Sequence, residues 1–452
     1  MARDYPEEFS PEIKAATTAA TRFGYGLRPG ELARIATDGA THWLIEQAKP
    51  QRLPKELQGL MTSEQALAEL ITAKKSGKEA FRKFKKKIAS QARNEAEIHA
   101  LVTLNSPDPF RERLVRFWTN HFTISIRSPR MAGLVAAFER EAIRPYIDGQ
   151  FSQMLLAVAK HPAMLIYLDN AKSMGKHSPA GRRKGKGYNE NYARELLELH
   201  TVGPGIHYTQ KDIIELANIL TGWTLARPKS KGAGSFTFNP KWHEPGSKTV
   251  MKKTFPEAGI LEGEAVLNHL STHPATAHHL ATKMARHFIS DSPSNKLIKD
   301  MVWEFNKSDG HVMSLATGMV DSKASWHQVP QKIKTPEDLV FSTMRGLNMR
   351  PKNGRIIIRA LELLGQRPFA APSPAGWPDM ASSWINPDSL LERLEWSASL
   401  AKRNRVDMAP TDHALDILGA QLSQRTYNHM AIAENPHEAI SLMLTSPEFQ
   451  RR

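Results

Sequence analysis

The residues best suited to chemistry lie on one predicted helix between Asn189 and His200. At about 100° per residue, four polar side chains share one face of this helix and leucines occupy the opposite face. The polar face consists of Asn191, Arg194, Glu195 and Glu198. His200 falls on the leucine side, so we expect it to be a buried structural histidine that does not belong to the polar face.

Two carboxylates one turn apart beside an arginine can differ in pKa, which suits a general acid and a general base. Glu195 and Glu198 could instead bind a divalent cation together with a histidine from another segment. The same pattern also fits a solvated helix face on which Arg194 pairs with its neighbours. The charge pattern alone favours this third, purely structural interpretation.

Asn120 and His121 interrupt an otherwise aromatic and apolar run that ends at Phe122. A buried imidazole needs a hydrogen-bond partner, so His121 can be a structural residue. It can equally be an acid, a base or a metal ligand.

The loop from Phe236 to Lys248 carries His243 as well as tryptophan, glutamate and lysine, a composition that suits ligand contact. A divalent-metal site formed by His121, Glu195, Glu198 and His243 is the alternative to a metal-free acid–base site. The motifs assign no cofactor. HExxH, P-loop and GxSxG motifs are absent, as is GxGxxG after a strand, so zinc-peptidase, nucleotide-binding and serine-hydrolase functions lack support.

The 452-residue chain contains no cysteine, which excludes disulfides and thiolate metal sites, and has a net charge of +15. Two segments carry +14 of this charge: residues 74–93, with nine basic residues and one acid, and residues 172–186, with six basic residues. The first is predicted to be a solvated basic helical arm. The second belongs to a basic loop, 171–187, whose Arg182, Arg183, Lys184 and Lys186 could steer an anionic substrate.

Nucleic acid is the obvious alternative partner for such charge. Phe81 and Phe84 alternate with lysines in the first basic segment and could stack on bases. No recognised nucleic-acid-binding fold accompanies them, so the sequence does not favour a nucleic-acid partner.

Helical periodicity dominates the chain and predicts a mainly α protein formed by one large helical domain over residues 1–452. The exception is a stretch near 227–262, which predicts a small β-hairpin or irregular insertion. Neither a signal peptide nor a membrane-spanning segment is recognisable, which leaves the cytoplasm and export to the bacterial envelope both open.

Several segments resemble a large bacterial family catalogued as the domain of unknown function numbered 1800. The resemblance extends through most of the chain. The matching segments are Ala20–Gly26, Phe117–Phe122, Pro162–Asn170, Asn189–Leu196, Leu220–Trp223, Phe238–His243, Gly376–Pro378 and Ser446–Phe449.

The resemblance implies no established reaction. It implies that the protein is associated with the envelope and has a sulfatase-like partner protein. It therefore also implies activity on a glycan or another surface polymer. It also implies that the three polar segments converge. The loop 171–187 is longer and more basic than the resemblance predicts, so its contribution is particular to this chain.

We therefore expect a hydrolase or lyase that acts on an anionic or glycan polymer, with Glu195, Glu198 and His121 as catalytic residues. The divalent-metal-dependent hydrolase and a non-enzymatic envelope-polymer binding or assembly protein are the alternatives. The predicted substrate contacts are Asn120, Asp169, Asn189, Glu190, Asn191, Arg194, Trp223, His243, Lys248 and the four basic residues of the loop.

Overall fold

The structure is a computed structural model that describes residues 3–228, 230, 232–327, 329–330, 332–404, 406 and 408–452. Within these residues the protein is mainly α-helical, as the sequence predicts, and its strands form two small antiparallel pairs. Buried apolar side chains form one continuous cluster from Ala16 to Phe449. In the described part of the chain, no helix combines the length and the apolar character needed to cross a bilayer.

The helices that precede the strands surround much of this core. They are α1 (Pro11–Thr18), α2 (Glu31–Asp38), α3 (Ala40–Gln47), α4 (Ser63–Lys75), α5 (Lys78–Asn105), α6 (Pro109–His121), α7 (Pro129–Ala132), α8 (Val135–Phe138), α9 (Phe151–Lys160), α10 (Pro162–Tyr167), α11 (Pro179–Lys184), α12 (Asn191–Glu195) and α13 (Gln210–Ile219). Wider π-helical turns occupy Ala19–Phe23, Glu139–Ile143 and Leu196–His200. The last of these turns continues α12 directly.

Two hairpins form the predicted β insertion. Strand β1 (Trp223–Leu225) pairs with β2 (Phe236–Phe238), and β3 (Lys248–Val250) pairs with β4 (Lys253–Phe255). The β region thus begins at Trp223, slightly before the predicted boundary of 227, because the first strand follows α13 after a tight turn.

The helices after the strands complete the core. They are α14 (Ile260–Ser271), α15 (Pro274–Phe288), α16 (Asn295–Lys307), α17 (Val312–Asp321), α18 (Pro336–Gly346), α19 (Arg355–Leu363), α20 (Pro387–Arg403), α21 (Pro410–Leu418), α22 (Gln424–Ala431), α23 (Pro436–Thr445) and α24 (Pro447–Gln450). Between α19 and α20, the proline-rich segment after Gly365 is an irregular loop that packs through half-buried Phe369 and Trp377.

The first basic segment, 74–93, ends α4 and begins α5. Phe84, Ile88 and Ala92 recur at helical spacing on α5 and are buried in the core. Lys85, Lys86 and Lys87 are exposed. The predicted arm is therefore a helix packed along one side, and the buried Phe84 is not available to stack on a base.

The second basic segment is not entirely a loop, which corrects the prediction for 171–187. Residues Pro179–Lys184 form α11, because Ser178 caps the helix by accepting a hydrogen bond from the Gly181 amide at 3.0 Å. Pro179 occupies the first turn, where it is well tolerated. Arg182, Arg183 and Lys184 lie on this short helix and are exposed, as is Lys186 after it.

Candidate functional site

The helix formed by α12 and the following π-helical turn, which we call the α12 helix, has the two faces that the sequence predicts. Asn191 is exposed, and Arg194, Glu195 and Glu198 are half-buried at the surface. The buried side of the helix consists of Tyr192, Ala193, Leu196, Leu197 and His200. The polar residues therefore reach solvent on one side, while the other side belongs to the core.

Arg194 is the centre of a partly exposed polar network, which we call the Arg194 network: Glu190, Arg194, Glu198 and Gln210. The guanidinium lies 3.2 Å from Glu190 and 3.4 Å from Glu198, and it donates to Gln210 at 3.0 Å. Gln210 in turn donates to Glu190 at 2.7 Å. These contacts hold Glu190 and Glu198 on either side of one cation.

Glu195 differs from these carboxylates because it has no ion-pair partner among the described residues. Burial and the nearby Glu198 carboxylate raise the pKa of Glu195, while Arg194 and Arg127 oppose the shift. Burial and Glu198 also raise the pKa of Tyr208 to about 12. The polar face of this helix therefore carries two different carboxyl groups. Glu195 retains its proton to a higher pH than an ordinary glutamate, and Glu198 is paired with Arg194.

A surface depression joins the start of this helix to the preceding segments. Four residues predicted to bind substrate line it: Asp169, Lys186, Asn189 and Glu190. The remaining lining is Lys172, Ser173, Gly187 and Tyr188. Because Glu190 also pairs with Arg194, the depression is continuous with the Arg194 network.

The chain around α11 is held against a 3₁₀-helical turn, Pro240–Trp242. The Gly175 amide donates to the Trp242 carbonyl at 2.8 Å, and the Lys184 ammonium lies 5.5 Å from the centre of the Trp242 ring. The Met174 amide donates to the Gly187 carbonyl at 3.4 Å. These contacts fix the basic helix beside the depression that Lys172 and Lys186 line.

His121 lies in the interior, on the far side of the α12 helix from Glu195. Its Nε2 is 3.2 Å from the carbonyl of His200, and its ring lies 6.1 Å from the His200 ring. Burial, together with Lys283 and neighbouring histidines, holds the pKa of His121 well below its usual value. The side chain therefore does not reach the polar face, and the proposed catalytic trio is not assembled.

Asn120 belongs to a structural contact between α6 and the loop that contains Trp377. Its amide group donates to the Trp377 carbonyl at 2.9 Å and accepts from the Trp377 amide at 2.7 Å. Gly376, with φ of 87°, allows this approach, since a Cβ there would lie 2.6 Å from the Asn120 carbonyl oxygen. Both polar groups of the Asn120 amide are thus engaged by backbone.

His243 and Lys248 are buried and share one acidic partner. His243 Nε2 lies 2.8 Å from Glu262, Lys248 lies 3.1 Å from Glu262, and His243 Nδ1 lies 3.0 Å from the Thr221 carbonyl. We call His243, Lys248 and Glu262 the Glu262 cluster. These two predicted substrate contacts instead tie β3 and the preceding loop to α14.

Trp223 is also buried, and it packs edge-on against Phe236 across the first hairpin with ring centres 5.2 Å apart. Its indole lies against Gly263 of α14, where any side chain would collide with it. The tryptophan is therefore part of the core and not a surface contact for a polymer.

A cleft that no sequence motif indicates lies where α5, α6, α15, α18 and the proline-rich loop meet. Asn120 is the one predicted site residue in its described lining. His287 and Asp379 also line it, and His287 Nδ1 lies 2.7 Å from Asp379. These two residues are 92 positions apart and carry no motif spacing, although Asp379 directly follows the Gly376–Pro378 segment.

The predicted metal ligands are not brought together. His121 lies in the core, His243 belongs to the Glu262 cluster, and Glu195 and Glu198 lie at the surface. Across the described ranges, no three histidine or acidic side chains are placed to hold a metal ion. What the structure does bring together is Asp169, Lys186, Asn189, Glu190 and Arg194 with the two carboxylates of the α12 helix.

Comparison with known proteins adds a family but no activity. No curated protein matches the chain, and no solved structure matches it. The model of the family described as "Protein of unknown function (DUF1800)" matches residues 18–451, and the chain therefore belongs to this family.

Proposed function

We propose that the chain is an acid–base enzyme, a hydrolase or a lyase, that acts on an anionic or glycan polymer at the polar face of the α12 helix. One observation carries the proposal: Glu195 has a raised pKa at an accessible position, one turn from a second carboxylate that Arg194 holds. Two carboxyl groups with different proton affinities are what general acid and general base catalysis requires.

In this proposal Glu195 is the proton donor to the leaving oxygen. Glu198 accepts a proton either from water, which gives hydrolysis, or from a carbon beside a carboxylate, which gives elimination. Arg194 is a positioning residue, since it holds Glu198 and Glu190 from opposite sides. His121 and His243 have no part in this reaction because both side chains are buried elsewhere.

The substrate class follows from the surroundings of the face. The adjoining depression is open, so a chain could pass along it, and Lys172 and Lys186 would attract an anionic one. Tyr188 offers an aromatic surface, and Asp169 and Asn189 offer hydrogen-bonding groups for hydroxyls. The exposed basic residues of α11 extend the positive surface beside it.

The test compares Glu195→Gln with the wild-type chain on a panel of acidic and neutral polysaccharides. New reducing ends report hydrolysis, and the ultraviolet absorbance of an unsaturated product reports elimination. We expect a loss of turnover of about 10²–10⁴-fold with the fold retained. Glu215→Gln, which changes another half-buried carboxyl on α13, is the matched control and should keep its activity.

Polymer binding measured beside turnover separates the alternatives. If the wild-type chain binds a polymer without cleaving it, and Glu195→Gln binds equally, the protein is a binding or assembly module and the proposal fails. If turnover of the wild-type chain is abolished by a chelator and restored by a divalent cation, the metal-dependent hydrolase replaces the metal-free mechanism.

A further inference from the structure

The exposed side of α5 carries most of the first basic segment, and the proposed polymer site does not use it. Lys83 pairs with Glu79 at 3.0 Å. Lys87 pairs with Glu69 at 2.8 Å. Four other exposed cations line one shallow depression and have no ion-pair partner within the described ranges: Arg82, Lys85, Lys86 and Arg93. Their charge is therefore available to an outside partner.

These four cations form one row along the helix. At about 100° per residue they fall within about 100° of one another around the axis, and from Arg82 to Arg93 the helix rises about 16 Å. A row of this length can contact several anionic groups at once. Clusters of about four to eight Lys and Arg residues on one helix are typical of surfaces that bind anionic lipid headgroups.

An apolar groove adjoins the row, between α5, α19 and the proline-rich loop. It has a cavity volume of about 160 Å³. Its apolar lining combines small side chains on α5 with larger ones around them, and includes Ala89, Ala92, Ala96, Ile126, Ile358 and Phe369. Ala89 and Arg93 line both the groove and the depression, so the two are continuous.

The groove is open and its surroundings are positive. Ile126 in its lining is 39% exposed, so aliphatic surface faces solvent there. Arg367 and Glu362 also line the groove, and they pair loosely at 3.3 Å with side chains that are 64% and 45% exposed. Groove and depression together present five cations and one carboxylate. The surface is therefore both cationic and apolar, which suits a partner with an anionic part and an aliphatic part.

We propose that this surface docks on an anionic lipid bilayer. The lipid phosphates would pair with the four cations of α5, while an aliphatic segment of a lipid would lie in the groove against Ile126. Electrostatic attraction and burial of apolar surface act together in binding of this kind. Both the row of cations and the groove should therefore contribute to the affinity.

The aromatic residues of α5 favour a lipid over a nucleic acid. Phe84 is buried, and the Lys74 and Lys85 ammonium groups lie over the half-buried Phe81 ring at 5.8 and 5.3 Å from its centre. Single-stranded nucleic acids are commonly held by cations together with exposed aromatic rings on which bases stack. This side of α5 offers cations beside a mainly aliphatic groove instead.

Binding of the full-length chain is measured by vesicle sedimentation with two kinds of vesicle. Phosphatidylcholine vesicles are neutral, and vesicles that also contain phosphatidylglycerol are anionic. We expect the anionic vesicles to bind at least tenfold more tightly, with an affinity that falls as salt is added. A single-stranded DNA oligonucleotide and heparin, added as competitors, test soluble polyanions as the alternative partner.

Charge variants locate the binding on α5. Changing all four cations of the row to glutamine should lower binding to the anionic vesicles at least tenfold, and circular dichroism reports whether the fold is retained. The matched control removes the same number of charges from the second basic segment, by changing Arg182, Arg183, Lys184 and Lys186 to glutamine. This control should bind the vesicles as the wild-type chain does.

A second pair of variants tests the groove without changing charge. Ile126→Asn makes the exposed aliphatic wall polar and should lower vesicle binding at least threefold. Ile432→Asn is the matched change at an exposed isoleucine elsewhere, and it should have no effect. If Ile126→Asn does not fold, Ala89→Gln serves, because it places a longer polar side chain where the groove meets the depression.

Equal binding of neutral and anionic vesicles, an equal loss in the two charge variants, or vesicle binding that both groove variants leave unchanged would overturn the proposal. Tighter binding of the oligonucleotide or heparin than of the anionic vesicles would also overturn it and make a soluble polyanion the partner. Glu195→Gln should bind the vesicles as the wild-type chain does. The inference therefore stands or falls independently of the proposed polymer cleavage.

Discussion

The Arg194 network and the Glu262 cluster use the same kinds of residue in opposite ways. In the Arg194 network the side chains of Glu190, Arg194 and Glu198 are 30–38% exposed, and the ion pairs measure 3.2 and 3.4 Å. In the Glu262 cluster the side chains are at most 5% exposed, and the carboxylate has contacts of 2.8 and 3.1 Å. The sequence predicted functional roles for residues of both groups, including His243 and Lys248 of the Glu262 cluster.

The difference lies in whether the polar groups remain accessible. A carboxylate that is buried and paired with protein cations is out of reach of a substrate, and removing one partner leaves a buried charge uncompensated. A solvated network contributes little to stability, so its side chains can take part in chemistry at small cost to the fold. Burial therefore separates structural from functional polar residues better than residue type does.

The largest expected effect is on the Glu262 cluster. Glu262→Ala leaves Lys248 buried without its acidic partner and should lower the free energy of unfolding by about 3–5 kcal/mol. Urea denaturation followed by circular dichroism measures the change. Glu264→Ala, on the same helix and paired with the partly exposed Lys160, should cost only about 1 kcal/mol or less. Similar losses in the two variants would remove the contrast between buried and exposed pairs.

A smaller effect is expected from His200, on the buried side of the helix that carries the Arg194 network. Burial, Lys283 and His279 lower the pKa of His200 to about 3, whereas the unfolded chain protonates this residue near pH 6.5. The unfolded state therefore binds more protons between these values. The stability contributed by neutral His200 is present above pH 6.5 and is lost as the pH falls towards 3.

At pH 5 this loss should amount to about 2 kcal/mol. Urea denaturation at pH 7 and pH 5 measures it, and His200→Leu should show a correspondingly shallower dependence on pH. His207→Leu, at an exposed position, is the control. If the free energy of unfolding depends on pH in His200→Leu as it does in the wild-type chain, His200 is not a buried neutral histidine.

The smallest effect on stability is expected in the Arg194 network. Arg194→Ala breaks two partly exposed ion pairs and should cost less than about 1 kcal/mol, and this cost should diminish with added salt. The pKa of Glu195 should rise further, because Arg194 opposes its upward shift. Carbon-detected NMR titration of the glutamates measures this change. A lower pKa of Glu195, or a loss of stability comparable to that in Glu262→Ala, would contradict the proposed contrast.

Local patterns predicted much of the fold. The periodicity of Asn191–His200 correctly placed His200 with the leucines. The same patterns missed α11. A Gly/Ser-rich composition predicts a loop, but one serine cap followed by proline is enough to start a helical turn.

The candidate site was predicted only in part. Asp169, Asn189, Glu190 and Lys186 do share one depression, which joins the helix that bears Glu195. His121 and His243 were grouped with them, because nothing in their local sequence shows which face of the fold they occupy. The sequence did not indicate the pair of His287 and Asp379, because a contact between residues so far apart in the chain produces no recognisable motif.

The sequence by itself determined the helical class, the β insertion and the two faces of the α12 helix, because periodicity and turn chemistry act over a few residues. It also determined that nearly all of the net charge lies in two segments. Only the tertiary structure decided which polar residues are accessible and which are buried against other parts of the protein. Burial, ion pairing and the cleft around His287 arise when distant segments pack together, and the free energy of a polar group depends on those neighbours.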